Sequence, residues 1–292
     1  MYKRQAFINV CRHRGNQLVG EQKGCKKAFS CPYHAWTWNN RGQLLVAPHA
    51  AQGFPDLDKS RYGLKRVACT EKYGFIWVWP MQSNNESIEH FLAGLGDDFD
   101  WFSAQSHVVV HTGEKLFNAN WKILVEGGLE AYHFKIAHRD TIGPYFNDNL
   151  SSYQSFGPHM RSFLTRNTLK ELAELPEQDW QLREHAQILY SIFPANQLLV
   201  QSDHFAWIQL IPVSASSSRI RISTLVPEGG AEENPEKWQK NHDITWATLM
   251  EDFTIAENIQ KGVKTGANTE FTFGRFEGAL NDFNTIVNSF LN

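Results

Sequence analysis

The stretch "CRHRGNQLVGEQKGCKKAFSCPYHAW", residues 11–36, holds two pairs of metal-ligating side chains. Cys11 and His13 form the first pair, Cys31 and His34 form the second, and residues 14–30 separate the pairs. Two sulfur and two nitrogen ligands suit either zinc or an iron–sulfur cluster. Zinc fingers and ribbons usually place about two to four residues between the ligands of a pair. The single residue between Cys11 and His13 is a tighter spacing than that.

The sequence around these pairs predicts a small antiparallel β domain. Short apolar, aromatic and β-branched segments alternate with turn residues such as "NNRG" and "DKSRYG". The segments are "AFINV", "QLLVA" and "LKRVACTEKYGFIWVWP". Pro80 and the polar run "MQSNNES" then indicate a boundary near residue 82, which divides the chain into domains 1–82 and 83–292.

The spacing Cys-x-His followed by Cys-x-x-His resembles the Rieske family, whose [2Fe–2S] cluster has two histidines in place of two cysteines. The resemblance implies that Cys11 and Cys31 hold one iron, while His13 and His34 hold the other. Neutral imidazoles make such a cluster less negatively charged, and so easier to reduce, than a cluster with four cysteines. The resemblance implies no role for the remaining cysteines, Cys25 and Cys69.

Length and composition limit the class of protein. The chain has 292 residues, 42% of them hydrophobic, and a net charge of −3, which favours a soluble globular protein and gives no sign of a nucleic-acid binder. No apolar run approaches the length of a membrane span. Four cysteines do not make a disulfide framework, so we expect a reducing cytoplasm. The first residues already read as a strand in progress, which predicts that this is an N-terminally truncated metagenomic fragment.

A second constellation lies in "NWKILVEGGLEAYHFKIAH", residues 120–138, which has the apolar spacing of a helix. Glu130 and His133 are three residues apart and would share a helix face. His133 and His138 are five residues apart, which on an unbroken helix places them about 140° from each other. If both imidazoles bind one metal, the helix must end or distort between them. Two histidines and one carboxylate are the ligands of non-heme Fe(II) oxygenases.

This segment resembles the catalytic helix of the α subunits of Rieske non-heme iron oxygenases. The resemblance implies that His133 and His138 bind a mononuclear iron and that an acidic residue on the long C-terminal helix is the third ligand. Within "ITWATLMEDFTIAENIQKGV", residues 244–263, the family pattern of an Asp five residues before a Glu fits Asp252 and Glu257. Asp252 is therefore the predicted ligand, with the adjacent Glu251 as the competing carboxylate.

Glu130 occupies the position where the family has an Asp or Glu between a Rieske histidine of one subunit and an iron-ligating histidine of the next. A carboxylate there can accept hydrogen bonds from both imidazoles. The resemblance thus implies a head-to-tail ring of subunits, with a homotrimer as the expected assembly. Glu126, one turn earlier, departs from the Asn of many relatives.

The rest of the second domain predicts an antiparallel sheet closed by a long helix near residues 235–263. Three strand segments precede that helix: "ILYSIFPANQLLVQ", "HFAWIQLIPVS" and "SRIRISTLVPE". The pattern resembles the helix-grip catalytic domain of the same oxygenase family, so the expected fold class is α+β. We expect residues 139–164 to lie over the pocket.

The resemblance implies the terminal oxygenase of a multicomponent system. A flavin-containing reductase, with or without a ferredoxin, would bring electrons from NAD(P)H, and O₂ and an organic substrate would react at the mononuclear iron. The alternative is a Rieske electron-transfer protein whose second domain only binds a ligand. A zinc-stabilised interaction module is the third hypothesis. The residues around Glu130, "ILVEGGLEAYH", resemble those of oxygenases that act on quaternary ammonium compounds. Aromatic compounds are the other leading substrate class.

Overall fold

The computed structural model describes residues 4–79 and 87–291, and the chain separates into two compact units, Met1–His90 and Phe91–Asn292. The predicted boundary near residue 82 lies outside the described residues, so the division into domains 1–82 and 83–292 stays a prediction. The observed elements confirm the α+β class. Among the helices in the described residues, none combines the length and the apolar character that a bilayer crossing requires.

The first unit is built from two small antiparallel sheets. One has the strand order β1-β5-β6 and the other β2-β3-β4. Trp36 and Trp38 lie in its core beside Cys11 and Cys31, and the indole N–H of Trp38 donates to the carbonyl oxygen of Tyr62. The elements of this unit are β1 Ala6–Phe7, β2 Ala28–Ser30, β3 Thr37–Asn39, β4 Leu44–Val46, α1 Ala50–Gly53, β5 Arg66–Lys72 and β6 Phe75–Trp79.

The second unit contains one seven-stranded antiparallel sheet with the order β7-β13-β12-β11-β10-β9-β8. The chain reaches it through the short helix α2, Ile88–Leu92. Further elements are α3 Leu95–Trp101, β7 His107–Phe117, α4 Trp121–Glu126, α5 Phe134–Ala137, β8 Phe146–Phe156, β9 His159–Arg166, α6 Leu182–His185, β10 Ala186–Ile192, β11 Asn196–Val200, β12 Phe205–Ser214, β13 Ser217–Pro227, α7 Pro235–Thr265 and α8 Gly278–Ser289.

Helix α7 covers the sheet with one buried stripe. Its buried positions are three, four or eight residues apart, as one face of a helix requires: Trp238, His242, Thr245, Phe253, Ala256 and Gln260. Phe253 packs against Phe117 of β7, with ring centroids 4.9 Å apart. Asp252 precedes Phe253, so this packing fixes the position of the predicted ligand.

Two parts of the second unit differ from the sequence-based expectation. Residues 146–156 and 159–166 form the hairpin β8–β9, which continues the sheet, and α8 adds a second C-terminal helix. The exposed face of β8 is rich in Ser, Asn and Tyr, so its strand periodicity is weak. Within the predicted helical segment 120–138, the helix begins at Trp121, because the Asn120 side chain caps it by accepting from the N–H of Lys122.

A glycine in β7 sets how closely α7 approaches the sheet. A Cβ at Gly113 would lie 2.6 Å from Nε1 of Trp246 on α7. We expect Gly113→Ala to lower the free energy of unfolding of this unit by about 1–3 kcal/mol, because the rigid indole must move. Urea denaturation followed by circular dichroism measures this.

Gly262→Ala is the matched control, since a Cβ there meets no atom within 4 Å and the position is helical. This control should be neutral or stabilising by up to about 1 kcal/mol. Equal stability of the two variants would show that Trp246 does not pack against β7 in this way.

Candidate functional site

The two Cys-plus-His pairs lie on loops with the same backbone pattern. The N–H of Cys11 donates to the carbonyl of Asn16, and the N–H of Gly15 donates back to the carbonyl of Cys11. Cys31 repeats both bonds with the residues at the same offsets, Trp36 and Ala35. Gly15 and Ala35 both have positive φ, 80° and 55°, which turns each loop sharply. Two similar loops therefore present two similar ligand pairs.

The donor atoms of these loops fit a buried metal cluster. Cys11 and Cys31 are 4% and 3% exposed, and Nδ1 of His13 is buried without a hydrogen-bond partner in the described structure. Burial acts to raise the pKa of Cys31, but hydrogen bonds from the N–H groups of Tyr33 and His34 lower it overall. Such N–H groups stabilise a thiolate, which is the metal-binding form of cysteine.

The arrangement also discriminates between one metal and two. A single zinc would draw four ligand atoms to about 2.0–2.3 Å from one point. In residues 4–79, no three of these donor atoms lie within 4.8 Å of one another. The imidazoles of His13 and His34 lie side by side, with centroids 4.8 Å apart. Two irons, one held by the sulfurs of Cys11 and Cys31 and the other by the imidazoles of His13 and His34, would suit this spread.

The second constellation brings His133, His138 and Asp252 together. Their ligand atoms all lie within 4.8 Å of one another. The Nε2 atoms of the two imidazoles are 3.1 Å apart, and Oδ1 of Asp252 lies 3.4 Å from Nε2 of His133 and 3.2 Å from Nε2 of His138. Three ligands at right angles, each about 2.1 Å from a metal, would be about 3 Å apart. The three atoms thus have the spacing of one face of an octahedron, the arrangement of a two-histidine, one-carboxylate Fe(II) site.

The backbone reaches this arrangement differently from the expectation. The helix does not end between the two histidines; it ends at Glu126, and Gly127 to Tyr132 form turns before α5. His133 and His138 are the two caps of α5. A Cβ at Gly128 would lie 2.6 Å from Nε2 of Gln197 on β11, so any larger residue there would have to displace the Gln197 amide. Because α5 has only four residues, the histidines at its two ends can bring their imidazoles together.

The carboxylates around the triad favour a positive charge at its centre. Burial would lower the pKa of His133, but hydrogen bonds and charge from Asp252 and Glu130 raise it to about 10. Burial likewise opposes protonation of His138, but Asp252 and Glu251 raise its pKa. A protonated imidazole here supplies the positive charge that a metal ion would supply, and the donor set therefore fits a divalent metal.

Three acidic residues near the triad differ in what they contact. The carboxylate of Glu130 accepts hydrogen bonds from Nδ1 of His133 and from the backbone N–H of Tyr132. Glu251, the competing candidate ligand, accepts from Nδ1 of His138 at 2.7 Å and from the Thr141 hydroxyl at 2.6 Å.

Each histidine of the triad therefore has its own carboxylate, which fixes the ring orientation. Glu257 contacts neither histidine; it accepts from the N–H of Asn118 at 2.7 Å. The sequence did not identify the role of Glu251, although its place beside Asp252 was the available signal. Glu126 accepts from Asn284 on α8 at 2.8 Å, and burial raises the pKa of this carboxyl.

Two cavities meet at the triad. The outer cavity, about 710 Å³, is lined by Glu130, His133 and Asp252 together with residues of α7 and the segment before α8. The inner cavity, about 100 Å³, lies under the sheet and is lined by His138 and Asp252 together with residues of β9 to β12. Asp252 borders both, so a metal at the triad would be reached from two sides.

Two family models match the chain. Residues 2–70 match the Rieske [2Fe-2S] domain, and residues 97–292 match the catalytic domain of the ring hydroxylating alpha subunit. The oxygenase subunit of glycine betaine monooxygenase from Chromohalobacter salexigens is 27% identical over 95% of this chain, which spans 70% of that protein. The large subunit of anthranilate 1,2-dioxygenase from Acinetobacter baylyi is 33% identical over 46% of this chain, an alignment that spans 29% of that protein.

A solved structure has the same fold. The crystal structure of a quaternary ammonium Rieske monooxygenase in complex with an inhibitor superposes with a TM-score of 0.81 at 20% identity, over 99% of this chain and 78% of that one.

Removal of the Glu251 carboxylate should weaken metal binding at the triad. In Glu251→Ala, Nδ1 of His138 loses its acceptor, so we expect the affinity for Fe(II) to fall about 10- to 100-fold. Anaerobic Fe(II) titration, with bound iron measured by elemental analysis, gives the affinity.

Glu257→Ala is the control on the same helix, and its Fe(II) affinity should match that of the unmodified chain. Unchanged affinity in Glu251→Ala would mean that the Glu251 hydrogen bond does not position His138.

Proposed function

Because the chain belongs to the ring hydroxylating alpha-subunit family and carries the Rieske domain of that family, we propose that it is the terminal oxygenase of a multicomponent system that hydroxylates or demethylates an organic substrate. The convergence of His133, His138 and Asp252 between two cavities carries this proposal. A carrier that only bound a ligand would not need this triad, so the electron-transfer alternative is not favoured.

Each cofactor has a proposed set of ligands. Cys11 and Cys31 would hold one iron of the [2Fe–2S] cluster, and His13 and His34 the other. His133, His138 and Asp252 would hold the mononuclear Fe(II). When bound, the cluster supplies single electrons and the Fe(II) supplies the activation of O₂.

The protein's own groups orient and shield the site. Glu130 and Glu251 hold the Nδ1 protons of the two ligand histidines, so both Nε2 atoms stay free for a metal. Phe134 packs edge-on against both ligand imidazoles, with centroids 5.0 and 5.4 Å away. The inner cavity, walled by sheet residues, would hold the substrate beside the metal and exclude water.

The partners belong to the same proposal. Glu130 lies in the open outer cavity, where a histidine of a neighbouring subunit's Rieske domain could donate to it; this supports a closed ring, proposed as a homotrimer. A flavin-containing reductase, with or without a ferredoxin, would deliver electrons from NAD(P)H. All four cysteines are free thiols, in keeping with the proposed cytoplasmic location.

A single turnover tests the function. The chain is reduced chemically and exposed to ¹⁸O₂ with a panel of amines, alcohols and aromatic acids. We expect an ¹⁸O-labelled or demethylated product by mass spectrometry. Asp252→Ala is the control; it should retain the visible spectrum of the cluster but form no product. Product at the normal yield from Asp252→Ala would contradict the assigned iron site.

Glu130→Gln tests the proposed link between subunits. The variant loses the anionic acceptor, so we expect electron delivery from the reduced cluster, followed by stopped-flow absorbance after mixing with O₂ and substrate, to slow at least about tenfold.

Glu126→Gln is the matched control, because it changes a carboxyl in the same cavity whose pKa burial already raises. Its rate should stay within about twofold of the unmodified chain. Equal slowing in both variants would mean that the outer cavity, rather than Glu130, controls the rate.

A further inference from the structure

The inner cavity has apolar walls and a few polar groups. Its apolar walls come from α5, the segment that follows it, and strands β9 to β12: Phe134, Ile142, Leu164, Leu189, Leu199 and Ile208. Phe134 is the sole aromatic side chain among the described residues that line this cavity. A quaternary ammonium group is typically bound by several aromatic faces. The polar lining includes Gln187, Gln201 and Thr248, so recognition there depends on hydrogen bonds.

A chain of hydrogen bonds runs from the surface to this cavity. Lys237 forms an ion pair with Asp203, and Oδ1 of Asp203 lies 2.7 Å from Nδ1 of His204. Nε2 of His204 lies 3.0 Å from Nε2 of Gln201, and Oε1 of Gln201 accepts from Nε2 of Gln187 at 2.9 Å. His204 is 4% and Gln187 8% exposed, so water does not compete with the inner bonds.

When the His204 ring is neutral, the carboxylate of Asp203 fixes the direction of all the hydrogen bonds from His204 to Gln187. An ionised carboxylate only accepts, so Nδ1 of His204 donates and its Nε2 must accept in the neutral ring. Nε2 of Gln201 then donates to His204, which turns Oε1 of Gln201 towards Gln187. Gln187 donates in turn through Nε2. A flip of the Gln201 amide would require a proton on Nε2 of His204.

The last acceptor in this series of hydrogen bonds is the side-chain oxygen of Gln187. Within the described structure, Oε1 of Gln187 has no hydrogen-bond partner, although the side chain is more than nine-tenths buried and lines the cavity. Oε1 is not fully enclosed, so it is open to accept from a hydrogen-bond donor on a molecule in the cavity. The hydroxyl of Thr248 on α7 is a second buried polar group that lines the cavity without a partner.

We propose that Gln187 is a specificity-determining residue, and that the substrate is a compact, largely apolar molecule with a hydroxyl or N–H group that donates to Oε1 of Gln187. This deepens the proposed function and rests on it. A fully methylated ammonium has no N–H to donate and does not match this wall. The volume of about 100 Å³ limits the group beside the metal to about one six-membered ring, since a cavity of about 150 Å³ holds benzene.

Binding of three small probes tests the proposal without turnover. The iron-loaded protein is kept under anaerobic conditions with its [2Fe–2S] cluster in the oxidised state. Fluorobenzene is titrated by ¹⁹F NMR, and phenol and tetramethylammonium are measured by displacement of it. Phenol and fluorobenzene have similar shapes but only phenol donates. Their affinity ratio is compared among variants, because the ratio cancels the cost of removing each probe from water.

In Gln187→Leu, we expect the phenol-to-fluorobenzene affinity ratio to fall about two- to tenfold, the usual net value of one hydrogen bond. Asp203→Ala changes a residue outside the cavity. It should also lower the ratio, because the direction of the hydrogen bonds from His204 to Gln187 is no longer fixed. Leu189→Met, an apolar change in the same cavity, should leave the ratio unchanged.

Three outcomes would overturn the proposal: an unchanged ratio in Gln187→Leu or Asp203→Ala, tetramethylammonium binding more tightly than phenol, or no binding of either ring compound. None of these depends on oxygen chemistry, so a failed single turnover with a normal affinity ratio would count against the proposed function alone.

Discussion

The largely buried carboxylate of Asp252, 14% exposed, is the constraint on which the rest of the site depends. Removing an ionised carboxylate from water costs several kcal/mol unless opposite charge compensates it. Hydrogen bonds and charge from His133 and His138 compensate it so well that its pKa is lowered despite burial. The same contacts raise the pKa of both imidazoles. Without a metal, this site is most stable as a protonated cluster; with one, the metal takes the place of the protons.

The fold meets that constraint by joining distant segments. Helix α7 supplies Asp252, and its packing against β7 and β13 sets the depth of the carboxylate. The histidines come from the opposite side, on a helix of only four residues. Gly128 lets the chain approach Gln197, and the amide of Gln197 donates to the carbonyl of Val125 in α4. The sheet therefore holds the break between α4 and α5 directly, and this break orients the histidines.

The sequence predicted the elements whose signals are local. The two Cys-plus-His loops, the strands β12 and β13 and the helix α7 follow from residue spacing and periodicity, and the resemblance selected Asp252 over Glu251. The first of the three predicted strand segments is two paired strands, β10 and β11. Contacts between distant residues were not predictable. The break after Glu126 depends on Gln197, the role of Glu251 depends on how α5 faces α7, and the polar face of β8 hid a strand that pairing with β9 stabilises. The hydrogen bonds from Asp203 to Gln187 join the turn between β11 and β12 to strand β10, so no spacing along the chain reveals them.

The two cavities differ in charge, and the triad lies between them. Glu126, Glu130, Glu270 and Glu277 line the outer cavity, whereas the inner cavity is lined by apolar side chains, neutral amides and hydroxyls apart from His138 and Asp252. An acidic, open surface attracts positive charge and hydrogen-bond donors. An apolar, enclosed space strengthens the few polar contacts made inside it. A metal held by the triad would thus face a polar side suited to a partner protein and a dry side suited to an organic molecule. Since Asp252 borders both cavities, a change in its position would alter the polar side and the apolar side of the site at once.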